Sequence, residues 1–216
     1  MTKSIYSLLL SDELVRELDR RAYSMNTSRS ALANQILADA LSFVTPEKRM
    51  RDIFSEIERF FGDSSAFQLT PQPSDSMLSL RTALAFKYNP QIRYSVELYK
   101  GASEQTGKIT VRLRSQNSDL LCLFSEFFKL WHGIECRFCG EVTAFISDGK
   151  YERIIKGFGG RELSERETGA FISEYLKLLD SSLKLYFSLY PDTKSAYNEI
   201  NSDYSEFTNT NKEVLL

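Results

Sequence analysis

Cys136 and Cys139 form a Cys-x-x-Cys pair, with the only histidine of the chain, His132, four residues upstream. Thiolate and imidazole ligands at that spacing could bind Zn²⁺ or another thiophilic metal. A fourth ligand is not obvious. Glu135 is adjacent and Cys122 lies further upstream, but if the stretch "IECRFC" is a strand, alternation points Cys136 and Cys139 to opposite faces. No metal site and no cofactor are expected. A second group is cationic: Arg81, Lys87, Arg93, Lys108, Arg112 and Arg114 fall on the polar phase of alternating segments, with only Glu97 opposed to them. Such a stripe could hold an anionic ligand or reach flanking DNA. It could equally be a solvated sheet face whose charges block aggregation. Gly157-Phe158-Gly159-Gly160 lacks the Lys-Ser/Thr ending of a phosphate loop and the dinucleotide-binding spacing, and so reads as a turn. With one histidine, no nucleophile elbow, no paired-carboxylate motif and no metal-hydrolase signature, an enzyme is not expected.

The composition bounds what these residues can serve. Of 216 residues, 42% are apolar and 26% charged, and 15 Phe with 11 Tyr supply a core, which is globular usage and not that of a disordered chain. A formal net charge of −2 excludes indiscriminate nucleic-acid binding, which depends on an excess of Lys and Arg to neutralise phosphates. Any DNA contact must be local. No apolar run approaches the ~20 residues that cross a bilayer, and the first residues alternate where a signal peptide has charged and apolar regions. A cytoplasmic protein without a membrane partner is expected. Three clustered cysteines agree with a reducing compartment.

The N-terminal residues carry the clearest pattern. From Lys3 to Leu10, alternation puts Tyr6, Leu8 and Leu10 on one face of a strand and Lys3, Ile5, Ser7 and Leu9 on the other. Ser11 then stands as an N-cap before Asp12 and Glu13, and Leu14, Val15, Leu18 and Ala22 recur at helical spacing. Asn26 suits the left-handed closing turn, and Ser28 caps a second helix through Ala31, Leu32, Ile36, Leu37, Ala40 and Leu41. A lone strand with two short helices buries too little to fold as a monomer, so the unit must pair with a second chain.

The stretches "IYSLLLSDELVRELDRRA" and "MNTSRSALANQILADAL" resemble the ribbon-helix-helix family, most specifically at Asn26-Thr27-Ser28-Arg29-Ser30-Ala31. The resemblance implies a two-fold homodimer, or a higher homo-oligomer, whose antiparallel ribbon enters the major groove of double-stranded DNA. It places base-reading side chains at Lys3, Ile5, Ser7 and Leu9 and a phosphate clamp at the backbone amides of Ser28 and Arg29. The outward face departs from the family pattern: only Lys3 and Ser7 can hydrogen-bond to a base edge, while Ile5 and Leu9 can at best touch a thymine methyl. The function expected is a sequence-specific transcriptional regulator, a repressor. The rival is a protein-interaction module of antitoxin or plasmid-maintenance type that uses the unit mainly to dimerise.

Further on, Thr45-Pro46-Glu47 starts a helix whose apolar stripe runs from Met50 to Phe61. Leu78 to Tyr88, Ile92 to Leu98 and Ile109 to Leu113 alternate as three strands of a meander. Asn117 or Ser118 caps a helix with an aromatic stripe that Gly133 ends. A weaker sheet set over 134–157 turns at Asp148-Gly149, and Ser164 to Glu167 open a long helix with a capping box. The expected fold class is α+β, with residues 1–44 as the ribbon-helix-helix unit, 45–62 as a connecting helix and 63–76 as a linker. Residues 77–190 then form an α+β effector or oligomerisation domain that could take a small-molecule effector or a protein partner, and 191–216 form a loose polar tail.

Overall fold

The structure is a computed structural model that describes residues 5–100, 105–156 and 163–211. The chain is α+β and divides into two compact units, Met1–Arg49 and Met50–Leu216.

In the first unit, helix α1 spans Asp12–Ser24 and helix α2 spans Arg29–Ala40. Ser11 Oγ accepts from the Leu14 amide, Asp12 and Glu13 complement the helix dipole, and Ser28 Oγ accepts from the Ala31 amide. Between the helices Asn26 takes a φ of 50°, which lets the Thr27 amide reach the Ala22 carbonyl at 2.9 Å. Leu18, Ala22 and Leu32 form the small core of this unit. The expected strand from Lys3 to Leu10 is not formed. Lys3 lies outside the described residues, and residues 5–10 belong to no strand, because a ladder needs a second strand and none is present among the described residues of the unit.

In the second unit, helix α3 (Pro46–Gly62, its first turn in the preceding unit) buries Met50, Ile53, Phe54, Ile57 and Phe61. Among the described residues six strands follow in one antiparallel sheet: β1 Gln68–Ser74, β2 Met77–Ala83, β3 Gln91–Leu98, β4 Gln105–Leu113, β5 Ala144–Ser147 and β6 Lys150–Lys156, in the order β1-β2-β3-β4-β6-β5. Helix α4 (Ser118–Cys139) connects β4 to β5, and α5 (Glu165–Leu189) and α6 (Thr193–Thr210) close the unit. Leu78, Leu80, Ile92, Tyr94, Val96, Ile109, Val111, Leu113, Tyr151 and Ile155 project from one face of the sheet into a core shared with α3, α4, α5 and α6. Each such large side chain contributes roughly 1.5–3 kcal/mol by leaving water.

Several expectations are corrected. Residues 63–76 are not a linker: β1 occupies Gln68–Ser74 and pairs with β2 from Gln68↔Arg81 onward. Pro71 fits there because an edge strand needs only one side of its ladder, and the register shifts between Thr70 and Ser74. The strand read through to Tyr88 ends at Ala83. Residues 134–139 are helical, not strand, since α4 runs through Gly133 to Cys139 and stops at Gly140, where φ is +81°. The pattern over 134–157 is therefore the end of that helix plus the β5–β6 hairpin, and the hairpin adds to the same sheet as the meander. Residues 45–62 do not merely connect, because from Met50 onward they are core of the second unit. As far as it is described, to residue 211, the tail is not loose: α6 buries Ala196, Ile200 and Tyr204 at four-residue spacing. The Gly157-Phe158-Gly159-Gly160 turn lies outside the described residues.

Candidate nucleic-acid interface and anion-binding face

In the first unit, residues 5–10 are all exposed. Ile5 and Leu9 are 100% and 102% exposed, while Tyr6, Leu8 and Leu10 are 84%, 69% and 44% exposed. Ser7 is exposed with the outward pair. Leu14, Ile36, Leu37 and Leu41 are also large apolar side chains left exposed. At the start of α2, the Ser28 side chain takes the Ala31 amide and the Ser28 carbonyl takes the Leu32 amide, so the Arg29 and Ser30 amides stand at the open end of the helix. The Arg29 guanidinium is committed elsewhere: its Nε and Nη2 both donate to the Asp19 carboxylate. That contact raises the Arg29 pKa and lowers that of Asp19, each through the shared hydrogen bonds. Any phosphate contact by Arg29 would rest on its backbone amide more than on its charge. On α1, Glu17 accepts from Arg20 and Arg21 at 2.8 Å, and those hydrogen bonds lower its pKa to about 2.

In the second unit, the face of the sheet opposite the core gathers the cations. Antiparallel register sets Arg81 opposite Arg93, Arg93 opposite Arg112 and Arg112 opposite Lys150, one row across β2, β3, β4 and β6. The next row on the same face is Ser79, Ser95, Thr110 and Glu152, and the one beyond it begins Met77, Glu97 and Lys108. All of these but Ser79, together with Gln91 and Arg114, line an open hollow of about 520 Å³. The two ends of the hollow differ. Lys108 Nζ lies 3.1 Å from Glu97 and 3.8 Å from Glu152, and Lys150 Nζ lies 2.6 Å from Glu152. The Lys108 pKa is raised by its bond to Glu97, and the Glu152 pKa is lowered by its bond to Lys150. Arg81 donates to the Gln68 amide oxygen at 3.1 Å. Among the described residues, no carboxylate comes within ion-pair distance of Arg81, Arg93, Arg112 or Arg114.

Five of the six cations read from the sequence therefore share this hollow. Lys87 does not: it sits in the turn after β2, its ammonium 5.4 Å from the Tyr88 ring centre. Lys150 and Glu152 were missed. Alternation in "KYERIIK" signals them, but Arg153 falls on the apolar phase of that strand and blurs the pattern.

Arg153 has a partner that sequence reasoning also missed. It is 1% exposed and its Nε lies 2.8 Å from Oε1 of Glu135, which is fully buried. Tyr151 and Tyr175 donate to the same carboxylate at 2.6 and 2.8 Å, and the Trp131 indole donates to the Tyr175 hydroxyl at 3.3 Å. Burial and the adjacent carboxylate push both tyrosine pKa values well up. This network joins α4, β6 and α5. A second buried carboxylate, Asp180, accepts from Thr82 and Tyr94 at 2.7 and 2.9 Å and from Lys184 at 2.6 Å.

His132 and Cys136 lie on one face of α4, 3.6 Å apart at Nε2 and Sγ, and Cys139 Sγ contacts the Tyr204 hydroxyl at 3.3 Å. The helix thus puts Cys136 and Cys139 three residues apart on adjacent positions of one surface, not on opposite faces of a strand. Among the described residues, no three His, Cys, Asp or Glu side chains come together as a metal-ligand set. Among the same residues, no helix is long and apolar enough to cross a membrane. Compared with known proteins, the chain matches no family model, no curated protein and no solved structure.

Proposed function

We propose that the chain is a sequence-specific DNA-binding regulator, a cytoplasmic repressor of ribbon-helix-helix type, that acts as a homodimer. The observation that carries the reading is the segment 5–10: its large apolar side chains are all exposed, it pairs with no strand among the described residues, and it leads into the Ser11-capped α1 and Ser28-capped α2. Six residues that join no described strand, with Tyr6, Leu8 and Leu10 on one alternating phase, suit half of a two-stranded ribbon. Pairing with a second copy would cover Tyr6, Leu8 and Leu10 and leave Ile5, Ser7 and Leu9 outward. The open amides of Arg29 and Ser30 suit a DNA phosphate.

The reading is tested with Ser7→Cys in a Cys122→Ser background. Ser7 lies near the midpoint of the ribbon, where a two-fold brings equivalent residues together. Mild oxidation should yield a disulfide-linked dimer that still retards duplex DNA in a gel. A chain that stays uncrosslinked under those conditions would count against the ribbon. Ile5 and Leu9, both fully exposed and apolar, favour one second reading, in which this surface docks a protein partner in place of DNA. In that case the crosslinked dimer would form but retard no duplex.

A further inference from the structure

We propose that the open sheet face of the second unit is a binding site for a small ligand carrying two or more linked phosphate groups, held chiefly by Arg81, Arg93 and Arg112. This inference is independent of what the first unit does.

Register is the first argument. Adjacent strands lie about 4.8 Å apart, so Arg81, Arg93 and Arg112 stand directly beside one another with like charges opposed, an arrangement that destabilises a sheet. A face built only for solubility interleaves signs. This chain does so at the other end of the same hollow, where Lys108 meets Glu97 and Glu152 and Lys150 meets Glu152. The arginine end lacks such neutralisation. The cost of stacking three guanidinium groups is recovered when a polyanion bridges them.

Shape and chemistry then narrow the ligand. The hollow, about 520 Å³, falls within the ~300–1,000 Å³ typical of small-molecule sites. Arginine forks bind phosphate oxygens in pairs, and a line of three at strand spacing matches a chain of phosphates better than a single one. Beside them the Ser95 and Thr110 hydroxyls offer further hydrogen bonds. Among the described residues no aromatic side chain lines the hollow and offers a platform on which a base could stack, which makes the phosphates the recognised part. A concave site of this size encloses a small anion, whereas duplex DNA would need a cationic track continuing beyond it.

The test is isothermal titration of the full chain with inorganic tripolyphosphate, orthophosphate, citrate and a 20-base-pair duplex of random sequence. One tripolyphosphate should bind per chain, at least tenfold more tightly than orthophosphate or citrate and more weakly as salt rises. Arg93→Gln/Arg112→Gln should weaken it at least tenfold, while Lys87→Gln should leave it unchanged. Because both arginines are exposed and mutually repulsive, the double variant should fold and should melt at the same temperature as the parent chain or higher without ligand. Absence of tripolyphosphate binding at millimolar concentration, equal binding of citrate or orthophosphate, or binding unaffected by the double substitution would each overturn the proposal. So would loss of duplex binding, in place of tripolyphosphate binding, in the double variant, since the face would then be a DNA contact.

Discussion

Replacing Glu135 by Leu should destabilise the second unit severely, and the reason lies in what the substitution leaves behind. Arg153 would keep its charge at 1% exposure with no carboxylate beside it, and the Tyr151 and Tyr175 hydroxyls would lose their acceptor. Removing one member of a buried pair costs ~3–5 kcal/mol, and each orphaned hydroxyl adds ~1–3 kcal/mol where it finds no new partner. Domains have ~5–15 kcal/mol in all, so Glu135→Leu brings this unit near the edge of folding. Arg153→Met should cost a similar ~3–5 kcal/mol, because it strands the carboxylate, though two tyrosines still donate to it. The double variant Glu135→Leu/Arg153→Met removes both charges and replaces them with apolar volume. It still leaves the Tyr151 and Tyr175 hydroxyls without their acceptor, so it should lose less than Glu135→Leu alone and much less than the two single losses added together, giving a coupling energy above ~3 kcal/mol. Urea unfolding followed by the fluorescence of Trp131, the one tryptophan, reads this directly, since the indole donates to Tyr175 within the network. Single variants that each lose under ~1 kcal/mol and simply add in the double would refute the reasoning.

Gly169 lets α5 approach α3 closely: a Cβ there would meet Glu56 Cβ at 2.5 Å and the Ile53 carbonyl at 2.9 Å. Gly169→Ala should therefore cost ~1–3 kcal/mol in urea unfolding despite its better helix propensity. The Glu17 carboxyl should titrate at about 2 by carboxyl NMR, against its ordinary 4.5, and return toward 4.5 in Arg20→Gln/Arg21→Gln. Because its folded pKa is lowered, the stability it lends α1 is present above pH 4.5 and lost as pH falls toward about 2. Among the thiols, Cys122 is exposed while burial pushes the Cys139 pKa up, so a thiol reagent at neutral pH should label Cys122 first in a peptide-mapped time course.

The helix ends of the first unit and the β5–β6 turn were legible because local chemistry fixes them: Ser11 and Ser28 cap, Asn26 turns left-handed, and Asp148-Gly149 bends the hairpin. The alternation of β2, β3 and β4 was legible for the same reason, and with it the cationic phase of the sheet. What stayed hidden depended on tertiary packing. Prolines 71 and 73 read as loop, yet an edge strand accommodates them. Gly133 and an accidental alternation in "IECRFC" concealed the last turns of α4, whose buried Ile134 and Glu135 outweigh a glycine penalty of ~1 kcal/mol. Thirteen polar residues against five apolar ones made α6 look solvated, although Ala196, Ile200 and Tyr204 mark one face. The Glu135–Arg153 pair left no local signal, since the two residues meet only once α4 and β6 are packed.

We propose that the N-terminal unit reads duplex DNA through a dimeric ribbon. It is tested most directly by selecting genomic fragments with the full chain, then titrating the selected duplex against Ser7→Ala in gel shifts. The selected fragments should share a motif related by two-fold symmetry and bind an even number of chains. Ser7→Ala should relax discrimination at one or two base pairs by ~1–3 kcal/mol without abolishing binding. Fragments with no common motif, or a complex indifferent to Ser7→Ala at every position of the motif, would contradict it.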